Sequence, residues 1–138
     1  MSEQTVLDLY RHEFEAQRDE HYFLYDLNGH TTLSTQEFFD RTAALAVGLE
    51  KLGVAKGDRV AIAMRNYPEW MLAYWAITAM GAVVVGVNAW WVGEELTYGL
   101  NDCAPKAFIC DRERLAVYDS IRDQVPPMLV LGVRCDDA

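Results

Sequence analysis

The chain has 138 residues, 51% of them apolar and 12% aromatic, which is one domain's worth of sequence and too hydrophobic for a disordered segment. Twelve basic residues stand against 21 acidic ones, for a net charge of −9. That balance argues against nucleic-acid binding through phosphate neutralisation and against docking on an anionic membrane face.

In chain order, residues 5–16 place Val6, Leu9, Tyr10 and Phe14 at helical spacing. Short strands are predicted at 21–25 and 31–33, joined by a turn at Asn28-Gly29, a strong hairpin signal. Ser34-Thr35-Gln36-Glu37 reads as a capping box. The helix it opens carries Phe38, Thr42, Leu45, Leu49 and Leu52 as one core stripe, with Gly53 as its left-handed stop. Strands at 59–64, 82–87, 106–110 and 128–133 then alternate with helices at 68–80, 94–102 and 112–124. Pro126-Pro127 ends the last helix. Alternating strands and helices at short spacing imply parallel strands with crossover connections. The expected fold class is α/β, a three-layer open and mainly parallel sheet with an N-terminal helix and hairpin. Such a sheet has two long edges, and with four tryptophans it is expected to be one part of a larger protein.

Residues 70–93 contain no charged side chain, long enough to span a bilayer on paper. Glu69, Glu94 and Glu95 flank the stretch, and its character changes midway from helix-like to small and β-branched. A buried helix followed by a buried strand accounts for the same hydropathy, so no transmembrane segment is expected. The start, Met1-Ser-Glu-Gln-Thr, lacks the basic and apolar regions of a signal peptide. Cys103, Cys110 and Cys135 form no C-x-x-C pair. They read as free thiols in a cytoplasmic, reducing compartment.

Signals for chemistry are sparse. Gly48-x-x-x-x-Gly53 and Gly81-x-x-x-x-Gly86 are not followed by the Lys-Ser/Thr of a phosphate loop, and no G-x-G-x-x-G occurs. His12, His21 and His30 lack metal-ligand spacing, and there is no G-x-S-x-G elbow. No catalytic, cofactor-binding or metal-ligating residue is therefore assigned. What remains is positional, because ligands of open α/β sheets bind beyond the carboxyl ends of the strands. Those ends carry Arg65-Asn66, Asn88 and Asp111. Asn66 and Asp111 also suit helix capping, whereas the helix after Asn88 starts several residues later. Trp90-Trp91, just past one strand end, offers an apolar wall for an acyl or aromatic ligand, or packing on the neighbouring helix. The candidate substrate-lining set is Asn66, Asn88, Trp90 and Trp91.

Several blocks carry a resemblance: Thr31-Thr-Leu-Ser-Thr-Gln-Glu-Phe; Ala44-Leu-Ala-Val-Gly-Leu-Glu-Lys-Leu-Gly-Val-Ala-Lys-Gly-Asp-Arg-Val-Ala-Ile; Asn66-Tyr-Pro-Glu-Trp; Ala76-Ile-Thr-Ala-Met-Gly-Ala-Val-Val-Val-Gly-Val-Asn; and Glu95-Leu-Thr-Tyr-Gly-Leu-Asn-Asp-Cys. In this order they resemble the opening of the adenylate-forming (AMP-binding) enzymes, most of all the fatty-acyl and aryl acyl-CoA synthetases. The resemblance implies that residues 1–138 are part of the N-terminal domain of such an enzyme. It implies a parent reaction in which a carboxylate and ATP give an acyl-adenylate and pyrophosphate, and CoA then displaces AMP. ATP, Mg²⁺ and CoA are the parent's cofactors. The family's phosphate loop, nucleotide contacts and C-terminal lysine lie outside these blocks, so the chain is expected to be a scaffold, inactive alone, whose partner is the remainder of the ligase chain or another subunit. A free-standing α/β binding or assembly module is the alternative. Gly86 stands where the family often has Pro, and Trp90-Trp91 stand in a loop that often holds Pro or a small polar residue; both leave the acyl substrate open.

Overall fold

A computed structural model of the chain describes residues 5–16, 21–26 and 29–135, with side chains described except at 21–26 and 29–31. The chain divides into two compact units. One takes the described residues of Met1–Gly53 together with Asn66–Gly81, and the other takes Val54–Arg65 with those of Ala82–Ala138.

The first unit begins with α1 (Val6–Ala16), followed by the antiparallel strands β1 (His21–Asp26) and β2 (Gly29–Ser34). Their register runs from His21 opposite Ser34 to Asp26 opposite Gly29. Asn28 of the expected turn lies outside the described residues. Helix α2 (Thr35–Lys51) opens with the expected capping box: the Glu37 amide donates to Ser34 Oγ at 3.1 Å, and the Ser34 amide donates to the Glu37 carboxylate at 2.8 Å. Each side chain satisfies a backbone donor that the first helical turn leaves unpaired. Phe38, Thr42 and Leu49 are buried, and Leu45 is half-buried.

Leu52 departs from the expected stripe. It sits at the C-cap, 52% exposed, because the backbone has already left the helical path there. Gly53 follows at φ +95°, the left-handed stop that its lack of a Cβ permits. Helix α3 (Pro68–Ala79) is apolar all round and buries Ala73, Ala76 and Ile77. Rings tie α1 to this unit, with Tyr10 stacked 4.4 Å from Trp75 and Phe14 stacked 4.4 Å from Phe39.

The second unit is a parallel sheet of β3 (Arg59–Ala63), β4 (Val83–Gly86), β5 (Ala107–Asp111) and β6 (Leu129–Val133), ordered β4-β3-β5-β6. Val60 pairs with Val84 on one side and Ala107 on the other, and Ala107 pairs in turn with Leu129. The two central strands are buried at every position except Arg59, as continuous apolar runs require, while the edge strands are half exposed. Gly86 ends β4 with open space where a Cβ would stand, so no close approach demands glycine there.

Helices α4 (Gly93–Cys103) and α5 (Arg112–Ile121) supply Leu96, Leu100, Tyr118 and Ile121 to a core shared with Ala61, Ala63, Phe108 and Cys110. Phe108 meets Tyr118 with ring centres 5.6 Å apart. The helix expected over 112–124 changes at Ile121 to a 3₁₀ turn, Arg122–Gln124. The proline pair just beyond forces the chain to leave helical geometry. No helix among the described residues is long and apolar enough to cross a membrane.

Candidate functional site

The sheet's strand order reverses between its two central strands. From β3 the chain goes to β4 on one side and later to β5 on the other. The carboxyl ends of β3 and β5 therefore flank the position where open α/β sheets form a ligand crevice. In this protein that position is filled by the chain's own charges.

Asp111 is the last residue of β5 and the N-cap of α5. Its carboxylate accepts the Arg114 amide at 3.1 Å, as its spacing to α5 leads one to expect, and the Arg65 amide at 3.0 Å. Arg114, one turn into α5, brings Nη1 to within 3.2 Å of the same carboxylate and 2.8 Å of Glu113. The Arg114 and Asp111 side chains are only 8% and 5% exposed. Arg114 Nε donates to the Ala89 carbonyl at 2.7 Å, which fastens the loop after β4. Arg65 closes the ring through Nη2, 3.1 Å from Glu113. Two guanidiniums and two carboxylates thus compensate one another, which is the condition under which charges can stay buried.

Of the four residues proposed to line a substrate, three lie on or beside this lock. Asn88 Oδ1 accepts the Trp90 amide at 2.9 Å, an Asx turn that shapes the loop. It caps no helix; α4 begins at Gly93, where the Glu95 carboxylate accepts the Val92 amide at 2.8 Å. Trp91 lies against α4, where a Cβ on Gly99 would fall 2.6 Å from its ring. Gly99 is thus the concavity that seats one tryptophan, the packing alternative for that residue.

Trp90 is different. It is 77% exposed. The guanidinium carbons of Arg65 and Arg114 lie 5.8 and 5.7 Å from its ring centre, within cation–π range. Asn66 is exposed and belongs to the other unit. The cap expected of it falls instead on Tyr67, with Pro68 opening α3. Pro68 at the first helical position fixes where the helix starts and so which residue precedes it.

Arg114 and Glu113 were not among the sequence candidates. Their signal is the Asp-x-x-Arg spacing across a strand end and helix start, which brings both side chains to one side of the first turn. Cys110 is not a ready nucleophile: burial pushes its thiol up to about 12, with Cys135, Asp111 and Asp119 adding to the effect. Burial also raises Cys103. His12 is exposed beside Glu13, and the side chains of His21 and His30 lie outside those described. Among the described residues no three metal-ligating side chains come together. A cavity of about 320 Å³ lies at the opposite, amino-terminal end of β3 and β5, lined in part by Asp58, Arg59, Pro105 and Lys106. Two of its polar walls are committed to structure, with Asp58 accepting the Ala55 amide and Arg59 donating to the Cys103 carbonyl.

The family model described as "AMP-binding enzyme" matches residues 11–136. A long-chain-fatty-acid–CoA ligase, FadD13, of Mycobacterium tuberculosis is 37% identical over 79 residues, which is 57% of this chain and 16% of the relative. A long-chain-fatty-acid–CoA ligase of Salmonella typhimurium is 32% identical over 107 residues, 77% of this chain and 18% of the relative. The chain thus spans less than a fifth of the length of these relatives. The crystal structure of a long-chain-fatty-acid-CoA ligase from Archaeoglobus fulgidus superposes with a TM-score of 0.88 at 17% identity. That match covers 97% of this chain and 28% of the other, and it establishes the likeness of fold.

Proposed function

We propose, from the premise that the chain belongs to the AMP-binding enzyme family, that it forms an N-terminal scaffold of an ATP-dependent acyl-CoA ligase and is catalytically inactive alone. The parent reaction joins a carboxylic acid to CoA, with ATP split to AMP and pyrophosphate. The observation that carries this reading is the filled crevice of a chain matched by the family over residues 11–136. Arg65, Arg114, Asp111 and Glu113 neutralise one another. The residues present do not fit a triphosphate or its Mg²⁺, for which a Gly-rich loop with a lysine and uncommitted carboxylates are needed. ATP, Mg²⁺ and CoA are accordingly assigned to the remainder of the ligase chain or to another subunit, in the cytoplasm.

Within this reading the substrate-lining set of Asn66, Asn88, Trp90 and Trp91 narrows to Trp90. Its ring is exposed, backed by two guanidiniums and held by the Asn88 turn, while Trp91 anchors the loop on α4. The test is ATP–pyrophosphate exchange with a panel of fatty and aryl carboxylates. The expected result is no exchange from the 138-residue chain and robust exchange once the downstream portion is joined to it. Robust exchange from the chain alone overturns the proposal.

The exposure of Trp90 also supports a second reading, a free-standing binding or assembly module. A saturable change of tryptophan fluorescence on titration with a fatty acid, in a chain that lacks exchange activity under all conditions, supports that reading instead.

A further inference from the structure

Two of the three cysteines converge on one face of the sheet. Cys110 of β5 stands directly opposite Gly132 of β6 in the parallel register. Register partners on adjacent strands are about 5 Å apart and direct their Cβ positions to the same face. On that face Gly132 has no Cβ. A Cβ built there would lie 2.8 Å from Cys135 Sγ and 3.7 Å from Leu115 Cδ2. Leu115 packs on the core that contains Cys110, so the Cys135 sulfur lies on the same side of the sheet as the Cys110 side chain.

The backbone explains how the sulfur reaches that place. Arg134 adopts φ +55°, the left-handed region that a non-glycine residue enters only where the surroundings require it. This turn folds the chain back after β6, and Cys135 Sγ lies 3.4 Å from the Val133 carbonyl. Gly132 thereby leaves the space that a side chain would take from the sulfur. The electrostatic influence of Cys135 on Cys110, which helps raise the Cys110 thiol, fits the same proximity.

We propose that Cys110 and Cys135 are a redox pair that closes an intramolecular disulfide when the chain meets a low-molecular-weight disulfide oxidant. The bond would tie the segment after β6 to the central strand β5. The exchange balances in two steps. Cys135, half-buried and therefore reachable, loses its proton and attacks one sulfur of glutathione disulfide, releasing one glutathione thiolate. Cys110, once deprotonated, attacks the Cys135 sulfur and releases the second glutathione. The two protein thiols lose two protons and two electrons to one oxidant molecule, which leaves as two glutathiones. Burial of Cys110 makes the second step the slow one, because only the thiolate attacks. Cys103, half-buried at the end of α4, has no place in the pair.

The test is incubation of the full 138-residue chain with glutathione disulfide at mildly alkaline pH, followed by mass measurement, thiol counting under denaturing conditions and non-reducing peptide mapping. The expected product is a monomer lighter by two hydrogen atoms, with one thiol left at Cys103 and one peptide linking Cys110 to Cys135. Cys103→Ser should give the same link, and either Cys110→Ser or Cys135→Ser should abolish it. Gly132→Ala keeps all three thiols but fills the space beside the Cys135 sulfur, so the link should form several-fold more slowly. A stable glutathione adduct on Cys135 with Cys110 still reduced overturns the proposal, as does a link through Cys103 or between chains.

Discussion

Replacing Arg114 by alanine tests whether the charge lock at the carboxyl end of the sheet holds the fold together. The substitution removes the cation that faces Asp111 at 3.2 Å, with both side chains more than nine-tenths buried. Removing one partner of a buried pair destabilises by about 3–5 kcal/mol, because the other charge stays uncompensated. Asp111 keeps two amide donors, from Arg65 and from residue 114 itself, so the lower end applies, about 3 kcal/mol. The lost bond to the Ala89 carbonyl adds about 1 kcal/mol.

At about 2.1 cal/mol/K of unfolding entropy per residue, 138 residues carry roughly 0.29 kcal/mol/K. A combined loss of about 4 kcal/mol therefore lowers Tm by about 14 °C. Thermal and urea unfolding followed by far-UV circular dichroism measures it. Glu113→Gln is the internal contrast: its carboxylate is largely exposed, and its loss should amount to less than about 1 kcal/mol. If Arg114→Ala loses no more than Glu113→Gln, the pair is a surface ornament and the account of a filled crevice is wrong.

Three further outcomes follow from other parts of the structure. Ser34→Ala removes the hydroxyl that accepts from the Glu37 amide and should lower the urea midpoint by the equivalent of about 1 kcal/mol; an unchanged midpoint would count against the capping box. Gly99→Ala ordinarily favours a helix by up to about 1 kcal/mol. Here the new methyl meets the Trp91 ring at 2.6 Å, so a net loss of about 1–3 kcal/mol is expected, and a stabilised variant would show that Trp91 does not rest on α4. Asp8 titrates below its ordinary value of 3.8 because its carboxylate accepts bonds from the Thr5 hydroxyl and amide. With its folded-state value depressed, its contribution to α1 is present above 3.8 and lost as pH falls through the lower value. An NMR titration should find the Asp8 midpoint moved up by Thr5→Ala, and identical midpoints in the two proteins would refute the assignment.

Much of this fold was readable from local patterns because its elements carry strong local signals. The capping box at Ser34, the alternation of apolar runs with helices and the proline pair after Gln124 each act over a few residues, and each has its counterpart in the structure. The errors fall where local signals end. Leu52 continues the heptad-like spacing, yet the helix stops one residue short of it, because Gly53 needs its left-handed turn first. Asn66 is a favourable cap by type, but Pro68 sets the start of α3 and puts Tyr67 in that place.

The charge lock was only half legible. The strand-end positions of Arg65, Asn88 and Asp111 could be read from topology. The joining of Arg65 to Glu113, or of Arg114 to the Ala89 carbonyl, depends on contacts 48 and 25 residues apart, which no periodicity records. The two tryptophans show the same limit. Adjacent and alike in sequence, they divide into an anchor and an exposed ring only because Gly99 leaves room for one of them.

The strand order β4-β3-β5-β6 bears on how a ribosome must deliver this chain. Vectorial synthesis makes the inner strand β3 before either of its neighbours. Val60, Ala61 and Ile62, fully shielded in the finished sheet, emerge with nothing to pair with until β4 is made. One flank of β3 then stays bare until residues 107–111 have followed. Parallel pairing across such intervals is slow, since the intervening loop must be ordered before the strands meet. Throughout that interval the nascent chain displays an apolar edge of the kind that invites association with other chains. Of these four strands the inner β3 is laid down first and the edge β6 last, and the turn at Arg134 just after β6 folds the chain back toward β5, the strand made before it.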